Sequence, residues 1–200
     1  MATATDLINR AILQLNDPRN ARWSVSELLE YLNEGVAALV RKVPAAHAVV
    51  DTVQLVAGTK QTLPATAIAL IRVLRAVGVN GAAGRAVSYF DLNTMNAANP
   101  GWHTATAGAV RQYSYDPAVP RTFWVYPPQP TPAEKADVEY GVIPPVLLPN
   151  AILPIGAEYH GLLVDYMLFR AYSKDSEYAG EDGRAAYHYK AFLEGTGAAA

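Results

Sequence analysis

The groups able to do acid–base, nucleophilic or metal chemistry are few in this 200-residue chain and widely scattered. Its four histidines, His47, His103, His160 and His188, fall in four different segments. None has the i,i+3 or i,i+4 partner that a helical metal site requires. Glu158 and Asp165 stand seven residues apart, close to two helical turns, so on one helix they share a face. Two carboxylates so placed could serve a glycosidase, one protonating the leaving oxygen and the other attacking or activating water. The commoner arrangement is a solvated stripe or ion pairing, here with Arg170 and Lys174. Gly78, Gly81 and Gly84 are spaced for turns and lack the Lys-Ser/Thr of a phosphate-binding loop, and no Gly-x-Ser-x-Gly turn occurs. With no cysteine, thiolate zinc sites and dithiol redox chemistry are excluded. No set of residues qualifies as catalytic, cofactor-binding or metal-binding, which points away from an enzyme.

Recognition by aromatic rings is the second kind of chemistry on offer. Trp102, Tyr113, Tyr115, Phe123, Trp124 and Tyr126 crowd the middle of the chain. Residues two apart on a strand share a face, so Tyr113 pairs with Tyr115 and Trp124 with Tyr126. One such pair suits a core and the other a surface. Exposed Tyr and Trp beside proline loops are the usual anchors of protein interfaces, and they can equally stack a sugar. Core, protein interface and ligand groove all stay open for them.

Composition narrows the class. Hydrophobic residues make up 51% and charged ones 17%, against roughly 25% charged in an ordinary globular domain. The deficit is filled by alanine, at 35 positions. Small side chains let helices of neighbouring subunits approach closely, and depletion of charge marks interface cores, although an alanine-rich composition also arises without any interface. The formal net charge of −2 argues against non-specific binding of nucleic acid, which rests on a cationic surface. The N-terminus lacks the basic and apolar regions of a signal peptide, and no run approaches the roughly 18 apolar residues of a membrane span.

The elements that must position these residues fall into three stretches. Up to Pro44 the spacing predicts two helices. Leu7, Ile8, Ala11, Ile12 and Leu15 recur at helical steps, with Thr5 as N-cap and Asp17-Pro18 as the stop. Ser24 with Glu27 reads as a capping box and Trp23 with Leu28 as a hydrophobic staple, ahead of an apolar stripe from Val25 to Val43. From 48 to 150 the chain reads as strand and loop. Val49, Asp51, Val53 and Leu55 alternate, Ala57-Gly-Thr-Lys60 reads as a hairpin turn, and Gln61-Thr-Leu63 as its return strand. A strand over 71–79 is followed by an Asn80-Gly81 turn, with 85–89 pairing back. One helical turn over 90–95, an aromatic anchor at Trp102, and strands at 110–115, 122–126 and 136–140 complete the stretch. Eight of the 14 prolines lie between Pro127 and Pro154, which makes that segment extended and loop-like. Helices return at 155–173 and 184–194. The second exposes a Lys190–Glu194 pair and buries Ala185, Tyr189 and Phe192 or their neighbours. Lys174-Asp175 marks one break and Gly180 with Gly183 another, and a glycine–alanine tail follows.

An amphipathic helix pair at each end would lack a partner for its apolar face if the chain were split. The expected architecture is therefore α+β. Residues 1–47 and 151–200 form one helical bundle, and 48–150 is an inserted antiparallel β-rich subdomain with proline-rich loops.

Several stretches, taken in order, resemble phage head-to-tail adaptors of the tail tubular protein A type found in short-tailed phages. They are Trp23-Ser-Val-Ser-Glu-Leu-Leu-Glu-Tyr-Leu-Asn33, Gly58-Thr-Lys-Gln-Thr-Leu-Pro64, Pro100-Gly-Trp102, Tyr113-Ser-Tyr-Asp116, Pro120-Arg-Thr-Phe-Trp-Val-Tyr-Pro-Pro128 and Asp165-Tyr-Met-Leu-Phe-Arg-Ala-Tyr-Ser-Lys-Asp-Ser-Glu-Tyr178. The resemblance implies a structural virion protein with no cofactor. It would form a dodecameric ring at the head–tail junction, assembled in the bacterial host cytoplasm, binding the portal protein on one side and the tail tube or nozzle on the other. DNA would pass through the lumen only as cargo, with no membrane involved. The portal-docking segment of such proteins corresponds here to the C-terminal residues, so Glu194, Gly195 and Thr196 are candidates to face the portal. Trp102, Trp124 and Tyr126 are candidates to face a neighbouring subunit or the tail. Two other readings remain: a cell-wall or capsule glycan hydrolase using Glu158 and Asp165, and a carbohydrate-binding tail module built on the middle aromatics.

Overall fold

The computed structural model describes residues 2–78, 81–174 and 181–197, with the side chains of 181 and 182 excepted. It combines helices with mainly antiparallel sheets in an α+β fold. Two compact units emerge: Met1–His47 with Ile143–Ala200, and Ala48–Val142.

In the first unit, α1 (Ala4–Leu15) is capped two residues earlier than its spacing predicts. Thr3 and Asp6 form a reciprocal capping box, the Asp6 carboxylate accepting the Thr3 N–H at 2.8 Å. Thr5 lies inside the first turn and donates its hydroxyl to the Pro149 carbonyl at 2.6 Å. Asn16 closes the helix at φ 53°, a left-handed conformation that Asn tolerates. The next turn is shaped by Asp17, whose carboxylate accepts the backbone N–H groups of Ala21, Arg22 and Trp23 at 2.8–3.1 Å.

Ser24 caps α2 (Val25–Lys42) by accepting the Glu27 N–H at 3.2 Å. Glu27 does not return the bond as a capping box would. Its carboxylate accepts from the Tyr31 hydroxyl at 2.7 Å and pairs with Lys174 at 2.8 Å. A 3₁₀ turn at Ala157–Tyr159 leads into α4 (His160–Lys174), and α5 (Glu181–Gly195) follows. Of the expected breaks, Asp175 and Gly180 lie outside the described residues, and Gly183 lies within α5, which begins three residues earlier than the expected 184.

Helix α4 packs against α1, α2 and α5, and α1 also touches α2. Their shared apolar faces bury Leu7, Ile8, Leu28, Leu32, Leu39, Leu163, Met167, Leu168 and Phe192 almost completely. Each such side chain contributes about 1.5–3 kcal/mol of transfer free energy. The Trp23 indole N–H donates to the Ala171 carbonyl at 3.1 Å, and its ring meets Tyr172 edge-on. Gly35 is needed where Tyr166 crosses α2, since a Cβ there would lie 3.0 Å from the ring. The proline-rich strip 143–154 runs across α1 and α2. The Ala4 N–H donates to the Ala151 carbonyl, and Asn33 accepts from the Leu147 N–H at 2.7 Å.

The second unit has two four-stranded sheets. One is ordered β1 (Ala48–Gln54), β8 (Lys135–Val142), β3 (Ala67–Val77), β4 (Ala83–Ala86). The other is ordered β2 (Gly58–Thr62), β7 (Thr122–Gln129), β6 (Gln112–Tyr115), β5 (Ser88–Tyr89). All pairings are antiparallel except β5 with β6. The expected hairpin at 57–60 is not formed. Gly58 adopts φ +92° and carries the chain from one sheet to the other, so β1 and β2 never pair. The buried Gln61 side chain stabilises this corner: its amide accepts the Val56 N–H at 2.7 Å and donates to the Val56 carbonyl at 2.8 Å.

The 85–89 segment divides likewise. Its first half pairs with β3 as β4 and its second joins the other sheet as β5. Gly81, at φ +76°, turns the chain as expected, while Asn80 lies outside the described residues. The inner faces of both sheets close on one core that includes Leu70, Val73, Tyr113, Phe123, Val125, Val138 and Tyr140.

Candidate functional site

Strand alternation sends Tyr113 and Tyr115 into or against the inner core, and puts Trp124 and Tyr126 on the outer face of their sheet, both half-buried. That outer face is covered by the excursion from 90 to 105. Asp91 caps α3 (Leu92–Ala98), its carboxylate accepting both the Thr94 hydroxyl and N–H at 2.7 Å. These bonds hold the Asp91 carboxyl below its ordinary range. A 3₁₀ turn at Trp102–Thr104 then drops the indole onto the sheet.

Trp102 is fully buried. It donates to Asn96 at 2.8 Å, meets Phe90 and Tyr126 edge-on at 5.5 and 6.4 Å, and stacks on His103 at 3.8 Å. His103 Nδ1 is 2.8 Å from the hydroxyl of Thr59, which ties the excursion back to β2. Trp102 therefore supports Tyr126 from within and offers no surface of its own. The His103–Thr59 link joins residues 44 apart that share no motif, and no sequence signal marks it.

At the C-terminal end of α5, Glu194 pairs with Lys190 at 3.7 Å. Gly195 is pressed against the Leu162 side chain, leaving no room for a Cβ. The Thr196 hydroxyl donates to the Leu193 carbonyl at 2.7 Å, and Gly197 turns at φ +72°. Ala185 and Phe192 are buried as expected, whereas Tyr189 stays 39% exposed and lies against Phe169. Residues 198–200 lie outside the described residues.

Glu158 and Asp165 do not share one regular helix. Glu158 is exposed in the 3₁₀ turn before α4, and Asp165, on α4, accepts from or pairs with His188 Nδ1 of α5 at 2.9 Å. Arg170 and Lys174 take partners on α2 instead, Glu34 and Glu27. Burial opposes ionisation of Glu27, but hydrogen bonds from Lys174 and Tyr31 hold its carboxyl below the ordinary value. His160 is buried, with Nε2 3.3 Å from the Ile155 carbonyl. Among the described residues no group of three His, Asp or Glu side chains could hold a metal ion, and no helix is long and apolar enough to cross a membrane. What the geometry provides is surface relief, aromatic support and charge, the materials of assembly.

The SU10 adaptor protein family matches residues 2–200. The chain belongs to that family. It is a phage adaptor protein, with a structural role as a component of the virion. Adaptors of this kind are generally non-enzymatic and assemble with other virion proteins such as portal and tail. No curated protein matches the chain.

Proposed function

We propose that this phage adaptor is the subunit of a head-to-tail ring that joins the portal to the tail tube or nozzle, with DNA passing through the lumen and without catalysis. The match over residues 2–200 carries this reading, and the resemblance to tail tubular protein A adds the dodecameric state. The terminal helices act as one bundle into which the β-rich part is inserted, and assembly takes place in the host cytoplasm. Glu194, Gly195 and Thr196 face the portal, at a helix end where the backbone is already packed against Leu162. Trp124 and Tyr126, the latter against Trp102, face a neighbouring subunit or the tail. A net charge of −2 suits a lumen that must let DNA slide, because binding to phosphate rests on released counterions and a cationic wall.

The test is to mix the purified protein with its portal and follow light scattering and electron micrographs. The expected product is a symmetric ring seated on the portal. A persistent monomer that ignores both portal and tail would overturn the reading.

A further inference from the structure

The one parallel strand pair among the described residues gives its sheet edge two chemically opposite ends. Because β5 and β6 run the same way, with Ser88 opposite Gln112 and Tyr89 opposite Tyr113, both strands enter at one end and leave at the other. At the entry end Arg85 and Arg111 line a cleft of about 300 Å³. Both are exposed, and neither guanidinium has a hydrogen-bond or ion-pair partner among the described residues. Glu134 lies in the same cleft but is engaged by the Val110 N–H at 3.3 Å.

At the exit end Tyr89, Asp91, Asn93, Tyr115 and Asp116 line a second cleft of about 240 Å³. Tyr89 is 53% exposed, and its ring meets Tyr115 edge-on at 6.2 Å. Asp91 is held anionic by its Thr94 bonds, and Asp116 uses one oxygen on the Ala118 N–H at 2.8 Å. Two carboxylates beside aromatic rings form a receptor for a guanidinium, through charge-assisted hydrogen bonds and cation–π contact. From Arg111 to Asp116 the strand spans roughly 16 Å.

We propose that this cleft receives Arg85 or Arg111 of a second copy of the chain, so that neighbouring subunits join head to tail along the β5–β6 edge. The proposal rests on the ring reading above and names the contact within it. A closed ring needs two different faces of one subunit to be complementary. Arg111 at the start of β6 and Arg85 on β4, the edge strand of the facing sheet, supply one member of such a pair, and the tyrosine–carboxylate cleft supplies the other.

The test uses the absence of cysteine from the chain. Arg111→Cys and Asp116→Cys variants are made separately in the full chain, mixed, and oxidised mildly under assembly conditions. Disulfide-linked pairs should form in the mixture and not in either variant alone. In parallel, Asp116→Arg should weaken self-association at least about tenfold by sedimentation, as should Arg85→Asp with Arg111→Asp. Combining the three changes in one chain should restore it. Among the described residues Arg85 and Arg111 have no hydrogen-bond or ion-pair partner to lose, and an unchanged denaturation midpoint in the arginine variants is expected alongside the loss of assembly. Rings that form unchanged in these variants and give no cross-link overturn the contact while the ring reading stands. A wild-type chain that never assembles on portal or tail overturns the ring reading itself. Saccharide binding abolished by Tyr89→Ser, with assembly untouched, would reassign the cleft to a glycan and likewise overturn the contact.

Discussion

The helical unit and the β unit fix their elements with different chemistry. Between helices two polar links are ion pairs at the rim of an apolar core, Glu27 with Lys174 and Glu34 with Arg170, and Asp165 meets His188 Nδ1 beside them. In the β unit several links that set the chain path run through uncharged side-chain amides and a hydroxyl, and these are more deeply placed. Gln61 closes the corner at Val56, Gln129 donates to the Gly108 carbonyl at 3.1 Å, and Thr59 meets His103. Its charged pairs, Arg72 with Glu139 and Arg75 with Asp137, bridge neighbouring strands. Helices need only be held against one another, since each makes its own backbone bonds. Strands and loops must also satisfy backbone groups at every corner, and buried amides do that without the desolvation cost of an ion.

The sharpest way to break this contrast is Trp102→Ala. It removes the ring on which the 90–105 excursion rests and should cost about 3–5 kcal/mol in denaturant unfolding. A cost below about 1 kcal/mol would mean the excursion is held by something else. Gln61→Met comes next. It keeps the volume but strips the Val56 N–H and carbonyl of their partner, for an expected loss of about 1–3 kcal/mol. A neutral result would remove the buried amide from its role at the corner.

Asp137 sharpens the comparison through pH. The Thr52 hydroxyl at 2.7 Å, then Arg75, hold its carboxyl below the ordinary value of 3.8. A depressed folded value stabilises the protein above the unfolded carboxylate range and is lost as pH falls through the folded one. Thr52→Val should therefore lower stability at neutral pH and converge with the parent in acid, once Asp137 is protonated in the folded protein. Parallel curves down to that acidity would show that Asp137 is not the group involved. The smallest effect belongs to the exposed Lys190–Glu194 pair. Lys190→Ala should change the unfolding free energy by no more than about 0.5 kcal/mol.

The same contrast explains what could be read in advance. The helices were legible because their apolar positions repeat locally: Leu28, Leu32 and Leu39 mark a buried face without reference to the rest of the chain. Even so, spacing alone points to Thr5 as the cap of α1, whereas Thr3 and Asp6 offer the same chemistry two residues earlier. Strands over 49–55, 110–115 and 122–126 are visible in alternation, as is the division of Tyr113 and Tyr115 from Trp124 and Tyr126, but β7 runs on through Pro127 and Pro128 to Gln129, where the proline run reads as loop. Sheet membership was not. A turn at Gly58 looks the same whether the chain pairs back or crosses to another sheet, and only partners some 70 residues away, such as Gln129 opposite Gly58, decide. Asp165 was noticed for the wrong company. Its link is to His188 on the next helix, a pairing that no periodicity announces.

The helical unit is assembled from both ends of the chain, and this sets an order of events during synthesis. Residues 48–142 leave the ribosome with every strand of their sandwich present, whereas α1 and α2 must wait with bare apolar flanks until α4 emerges to cover them. A translation product that stops short of α4 is thus left with greasy helices and no way to hide them, marked for chaperones or proteolysis before it can poison a growing particle.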